Sequence, residues 1–94
     1  MVVVGVGVLR DFIAEHADAR EDIAAWLALT EGARWRNPHE LVATFPKAKH
    51  VASNKYVFKI RHNRYRLLVS VHFPTETLRI LKVGTHAEYD SWDY

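Results

Sequence analysis

The chain has 94 residues, 49% of them hydrophobic, and no cysteine. That is enough apolar surface for one packed core but too little chain for two, and it excludes disulfides and thiolate metal sites. The formal net charge of +2 hides a divide: residues 1–46 carry four basic and seven acidic side chains, residues 47–94 nine basic and four acidic. An acidic half joined to a basic half predicts that the second half meets nucleic acid.

Residues 1–9 are apolar, with no basic residues ahead of them, and too short to span a bilayer, so they read as a short strand of a non-secreted, cytoplasmic protein. Leu9, Phe12, Ile13, His16 and Ala17 recur at helical spacing and mark one stripe of a first helix. Asp18 stands three residues before Glu21, so a capping box is expected to start a second helix at Ala19. That helix should bury Ile23, Trp26, Leu27 and Thr30 and end at Gly32. Asn37, Pro38 and Glu40 repeat the start signal for a short third helix towards Phe45, which Pro46 stops.

Beyond Pro46 the apolar period changes to 2. Tyr56, Phe58 and Ile60 alternate with Lys55, Val57, Lys59 and Arg61. After a two-residue turn at His62 and Asn63, Tyr65, Leu67, Val69 and Val71 alternate with Arg66, Leu68, Ser70 and His72. Residues 73–76 make the next turn, and residues 77–84 the last long strand. With no repeat, linker or low-complexity stretch, residues 1–94 form one α+β domain, its helices on one face of an antiparallel meander. Alternation turns Tyr56, Phe58, Ile60, Tyr65, Leu67 and Val69 towards the helices. Lys55, Lys59, Arg61, Arg66 and Arg79 turn to the other side, a basic, open face on which Arg66 is exposed.

Residues 47–66 hold seven cations and no acid. The run that follows the last strand, residues 84–90, packs His86, Glu88, Tyr89 and Asp90 into five positions at the rim of that face. Cleavage of RNA by its own 2′-hydroxyl needs a base, an acid for the leaving 5′-oxygen and cations on the phosphoryl oxygens. His86 and Tyr89 can exchange protons, and the fork of Arg66 suits a phosphate. Lys59, Arg61, Arg64 and Lys82 would hold the RNA backbone, although strict alternation puts Lys82 opposite Arg79 unless a bulge intervenes. Glu88 and Asp90 are auxiliary candidates whose simpler role is solvation or pairing with the basic sheet. The remaining histidines, His16, His39, His50, His62 and His72, lack metal-ligand spacing, so no metal or other cofactor is expected.

Residues 56–69 (YVFKIRHNRYRLLV) and 83–90 (VGTHAEYD), with Leu9-Arg10-Asp11-Phe12, Trp35-Arg36-Asn37-Pro38 and Phe45-Pro46-Lys47-Ala48, resemble HigB-type toxins of the RelE superfamily. The resemblance spans nearly the whole chain, and its most specific part is the GTHAEYD ending. It implies a RelE-like fold and a cytoplasmic endoribonuclease, an mRNA interferase that cuts mRNA on translating ribosomes and inhibits translation. It also implies a cognate HigA-like helix-turn-helix antitoxin as partner, with no membrane and no small-molecule cofactor. His62 departs from the family's usual turn glycine, and the Val-rich start from a more polar first strand. A non-catalytic basic module that holds RNA or docks a partner is the competing reading, and the His86–Tyr89 pair separates the two.

Overall fold

The computed structural model describes residues 1–94, in the order β1 (Val2–Val4), α1 (Val6–Glu15), a 3-10 turn (Ala17–Ala19), α2 (Arg20–Glu31), α3 (Pro38–Thr44), β2 (Lys49–Ala52), β3 (Lys55–Ile60), β4 (Tyr65–His72), β5 (Thr77–Thr85) and α4 (His86–Tyr89). The five strands form one sheet in the order β1-β5-β4-β3-β2. β2 to β5 are antiparallel, but β1 adds to the edge of β5 in parallel, so the sheet is not a pure meander. The fold is α+β and consistent with a RelE-like architecture.

Three local signals act as expected. Asn37 caps α3, its side chain accepting from the Glu40 amide at 3.0 Å, with Pro38 in the first turn. Gly32 ends α2, and Ile23, Trp26 and Thr30 are its buried residues. Tyr56, Phe58, Ile60, Tyr65, Leu67 and Val69 all enter the core beneath the helices, together with Leu9, Phe12, Trp35 and Leu41. Trp35 is anchored there by an Nε1 hydrogen bond to Thr44 Oγ1 at 2.9 Å.

Other expectations need correction. Only Val2–Val4 of the apolar start is a strand, because the chain turns at Gly5 and is helical from Val6. Gly5 has φ +88°, and a Cβ there would lie 3.0 Å from the Ile80 carbonyl oxygen. A left-handed residue pressed against a neighbouring backbone requires glycine. Asp18 does not cap α2: it lies inside the 3-10 turn, and the cap position, Ala19, is itself in helical geometry without a side-chain bond. Capping needs an extended residue ahead of the helix, and the 3-10 turn removes it. The first hairpin loop spans Arg61 to Arg64 rather than two residues, since pairing ends at Ile60 with Tyr65. Arg61 and His62 take the positive φ values, 51° and 58°. Residues 49–52, not anticipated as a strand, extend the sheet beyond β3 as β2.

Candidate active site

Cross-strand partners lie on the same face of a sheet. Lys55 pairs with Ser70, Val57 with Leu68 and Lys59 with Arg66, while across β4 Arg66 pairs with Gly84, Leu68 with Lys82 and Ser70 with Arg79. Lys55, Lys59, Arg66, Arg79 and Lys82 therefore share the face that turns away from the helices. Lys82 arrives there because a bulge intervenes: the register shifts between Leu68 and Val69, and Leu81 is left without a partner. The extra residue reverses the alternation, so Lys82 returns to the side of Arg79.

This face is basic and only partly open, with Lys59, Arg79 and Lys82 exposed. Residues beyond β5 fold back over it, and Arg66, expected to be exposed, is only 5% exposed. Its Nη1 donates to the carbonyls of Asn63 at 2.8 Å and Tyr65 at 3.4 Å. Its guanidinium carbon lies 5.3 Å from the centroid of the Tyr89 ring. Burial of an arginine is tolerable when carbonyls and an aromatic face replace water around the cation. Lys82 Nζ stands 5.9 Å from the Trp92 ring centroid, and Lys55 Nζ donates to the Tyr94 carbonyl at 2.8 Å. Gly84 lies directly under the segment, since a Cβ there would come within 3.0 Å of Trp92 Cζ2. Burial and the neighbouring Tyr89 push the Tyr94 phenol up to about 12.

α4 is a single turn built by a capping box. Thr85 Oγ1 accepts from the Glu88 amide at 3.2 Å, and Glu88 Oε1 accepts from the Thr85 amide at 3.0 Å. These bonds hold the Glu88 carboxyl below the usual carboxylate range, the Thr85 backbone bond being the largest cause. Threonine three residues before glutamate is the sequence signature of this box, and it gives Glu88 a structural task. His86 opens α4, its backbone amide bonded to the Arg64 carbonyl at 3.1 Å and its ring exposed. Asp90 ends the turn, exposed.

Arg61 and Arg64 sit at the hairpin loop, where Asp18 receives both. Their Nε atoms are 3.6 and 3.5 Å from Asp18 Oδ2, and Arg61 Nη1 also donates to the Asp18 carbonyl at 3.1 Å. The Tyr65 hydroxyl donates to Asp18 Oδ1 at 2.6 Å. That bond is the first cause, ahead of the two arginines, of a lowered Asp18 pKa, and it raises the Tyr65 phenol in turn. Asp18 thus ties the helical half to the loop instead of starting α2.

The structure buries Arg66 beneath Tyr89, with Lys82 exposed beside Trp92 and His86 on the turn that carries Tyr89. Lys59 stands beside Arg66 in register and is exposed. Arg61 and Arg64 are drawn towards Asp18. Lys55, expected on this face, completes the cluster with Trp92 and Tyr94, which were not anticipated; the available signal was Trp92 three residues after Tyr89, an aromatic pair at helical spacing. The two rings meet edge-on at 5.6 Å. A cavity of about 440 Å³ lies elsewhere, between α2 and the strand β3, floored by Trp26, Phe45 and Phe58. Its lining contains neither Arg66 nor α4. No three His, Cys, Asp or Glu side chains converge as metal ligands, and no helix is long and apolar enough to cross a membrane.

Comparison with known proteins gives one family. Its profile, HigB_toxin, described as the RelE-like toxic component of a toxin-antitoxin system, matches residues 19–92. A search of the curated proteins returns no match. The matched span takes in α2, α3, every strand from β2 to β5, and α4. The chain belongs to the HigB family of RelE-like toxins, the toxic components of toxin–antitoxin systems, and its partner is an antitoxin.

Proposed function

We propose that this toxin is a cytoplasmic endoribonuclease that cuts mRNA on the ribosome and so stops translation. In the reaction the ribose 2′-oxygen attacks the adjacent phosphorus, the bond from phosphorus to the 5′-oxygen breaks, and the products are a 2′,3′-cyclic phosphate and a 5′-hydroxyl. A base must take the 2′ proton and an acid must protonate the leaving oxygen, each worth roughly 10²–10⁴-fold in rate. His86 and Tyr89 fill these two roles, and Arg66 neutralises the phosphoryl oxygens. Lys59, Arg61, Arg64 and Lys82 hold the RNA backbone, with Glu88 shaping the turn and Asp90 beside it. The antitoxin is a HigA-like helix-turn-helix protein.

The observation that carries the reading is the seat of Arg66 under Tyr89, three residues from His86 on the same turn. A preorganised guanidinium beneath Tyr89, on the turn that also carries His86, suits a developing phosphorane better than it suits static docking. The test adds purified toxin to translating ribosomes and maps the ends of the mRNA fragments. Cyclic phosphate and 5′-hydroxyl ends, lost in Arg66→Ala and His86→Ala, are expected. Intact mRNA in the presence of folded toxin would overturn the nuclease.

A second reading is a non-catalytic module that holds RNA or docks a partner. Its support is the His86 ring, exposed and without a hydrogen bond to orient it. On that reading RNA binds and no ends appear.

A further inference from the structure

Five residues, Asp90-Ser91-Trp92-Asp93-Tyr94, follow α4 and carry two carboxylates, two large rings and no cation. Their course is defined by the sheet below. Trp92 lies over Gly84 and beside Lys82 on β5, the Tyr89 ring that it meets lies over Arg66 on β4, and the Tyr94 carbonyl reaches Lys55 on β3. Val57 and Leu68 pair on this same face and are each 3% exposed, yet neither belongs to the core beneath the helices. The returning segment crosses the same face. It crosses three strands, meeting Lys82 on β5 and Lys55 on β3, while Tyr89 of α4 covers Arg66 on β4 between them.

We propose that residues 91–94 are a displaceable strap lying in the path of single-stranded RNA, which binds along Gly84, Lys82, Arg66 and Lys55 by taking the strap's place. This rests on the nucleic-acid reading of the face given above and names its route. The strap has the chemistry of a short nucleotide run: the Trp92 ring beside Lys82 where a base would stack, and a main-chain oxygen of Tyr94 where a phosphate oxygen would accept. Its grip is light. Beyond α4 the backbone is held by the Ser91 amide on the Glu88 carbonyl at 3.1 Å and the Trp92 amide on the Tyr89 carbonyl at 3.0 Å. Past Trp92, the chain is held by the Lys55 bond and by the Tyr94 ring beside Tyr89, centroids 6.4 Å apart, and Asp90 and Asp93 form no ion pair. A phosphate backbone offers these cations one charge at every nucleotide, an advantage that grows as salt falls.

The experiment uses a fluorescein-labelled single-stranded RNA with 2′-O-methyl sugars, which cannot be cut, titrated into the full chain at low salt. Wild type is compared with Trp92→Ala and Tyr94→Ala, each checked for fold by circular dichroism and melting. Both variants should bind about three- to tenfold more tightly, Trp92→Ala the more so. In wild type the amides of Ser91 and Trp92 should exchange hydrogen faster once RNA is bound. Unchanged or weaker binding by the variants, or slower exchange on binding, would overturn the strap; weaker binding would make the rings part of the RNA site. Should Trp92→Ala fail to fold, Tyr94→Ala and the wild-type exchange decide. Because the probe cannot be cleaved, a toxin that binds it but never cuts natural RNA fails as a nuclease while leaving the strap intact.

Discussion

The guanidinium of Arg66 is stacked beneath Tyr89, carbon to ring centroid 5.3 Å, while two backbone carbonyls at the hairpin end accept from its Nη1. A residue that reads as a solvent-facing cation is therefore a fixed one. Its orientation is set before any substrate arrives, and its replacement has structural as well as functional consequences.

Arg66→Ala should lower cleavage by about 10²-fold or more, the scale of losing one transition-state donor. It should also destabilise the fold by about 1–3 kcal/mol, because the Asn63 and Tyr65 carbonyls lose their partner in a buried place. Urea melts alongside ribosome cleavage assays measure both. Arg66→Lys keeps the charge without the fork and should recover less than a tenth of the rate. A fully active Arg66→Lys variant would reduce the residue's role to bulk charge.

His86→Ala should leave the melting temperature nearly unchanged, since the ring is exposed and only the backbone amide bonds the loop. Cleavage should nevertheless collapse while antitoxin binding persists. Tyr89→Phe keeps the ring over Arg66 and removes the phenol proton. Activity between wild type and His86→Ala would assign Tyr89 a proton, and wild-type activity would leave it a stacking role. Full toxicity of His86→Ala at matched expression would remove the histidine from the mechanism.

The Asp18 carboxyl is held low by the Tyr65 hydroxyl and the two loop arginines. A depressed folded pKa contributes stability that is present above the unfolded value, near 3.8, and is lost as pH falls through the lower folded value. Urea midpoints of the wild type should fall with acidification through that window. Asp18→Asn should start lower at neutral pH and show a flatter acid slope. An identical slope would mean that the ion pairs at the loop carry no linkage.

The Tyr94 phenol is raised from 10.0 to about 12, so its neutral form is favoured in the folded chain. Its contribution is complete below pH 10.0 and disappears as pH rises towards about 12. Exchange of the Trp92 amide should therefore accelerate across this alkaline window in wild type, and Tyr94→Phe should flatten the rise. A rise unaffected by Tyr94→Phe would place the opening elsewhere.

Gly5→Ala should cost about 1–3 kcal/mol, because φ is +88° and the Ile80 carbonyl leaves no room for a Cβ. Gly7→Ala meets nothing within 4 Å and lies in α1, where alanine should be neutral or stabilising by up to about 1 kcal/mol. Thermal melts of the pair separate backbone conformation from mere residue size. Equal effects would show that the turn at Gly5 has no special demand.

Local patterns were readable wherever the determining partner was close in sequence. The cap at Asn37, the two-residue period of β3 and β4, and the acidic and basic halves follow from neighbouring residues alone, and the family resemblance rests on such short runs. Tertiary structure decided the rest. Lys82 faces the basic side only because pairing with β4 extrudes Leu81, and no feature of β5 by itself announces that shift. Asp18 left the capping box because the Tyr65 hydroxyl and the loop arginines, more than forty residues away, offer its carboxylate stronger partners than the start of α2. Arg66 became buried because the turn after β5 brings Tyr89 over it, more than twenty residues on in sequence. Periodicity reports which face a side chain takes, but whether that face meets water depends on where a distant segment comes to rest.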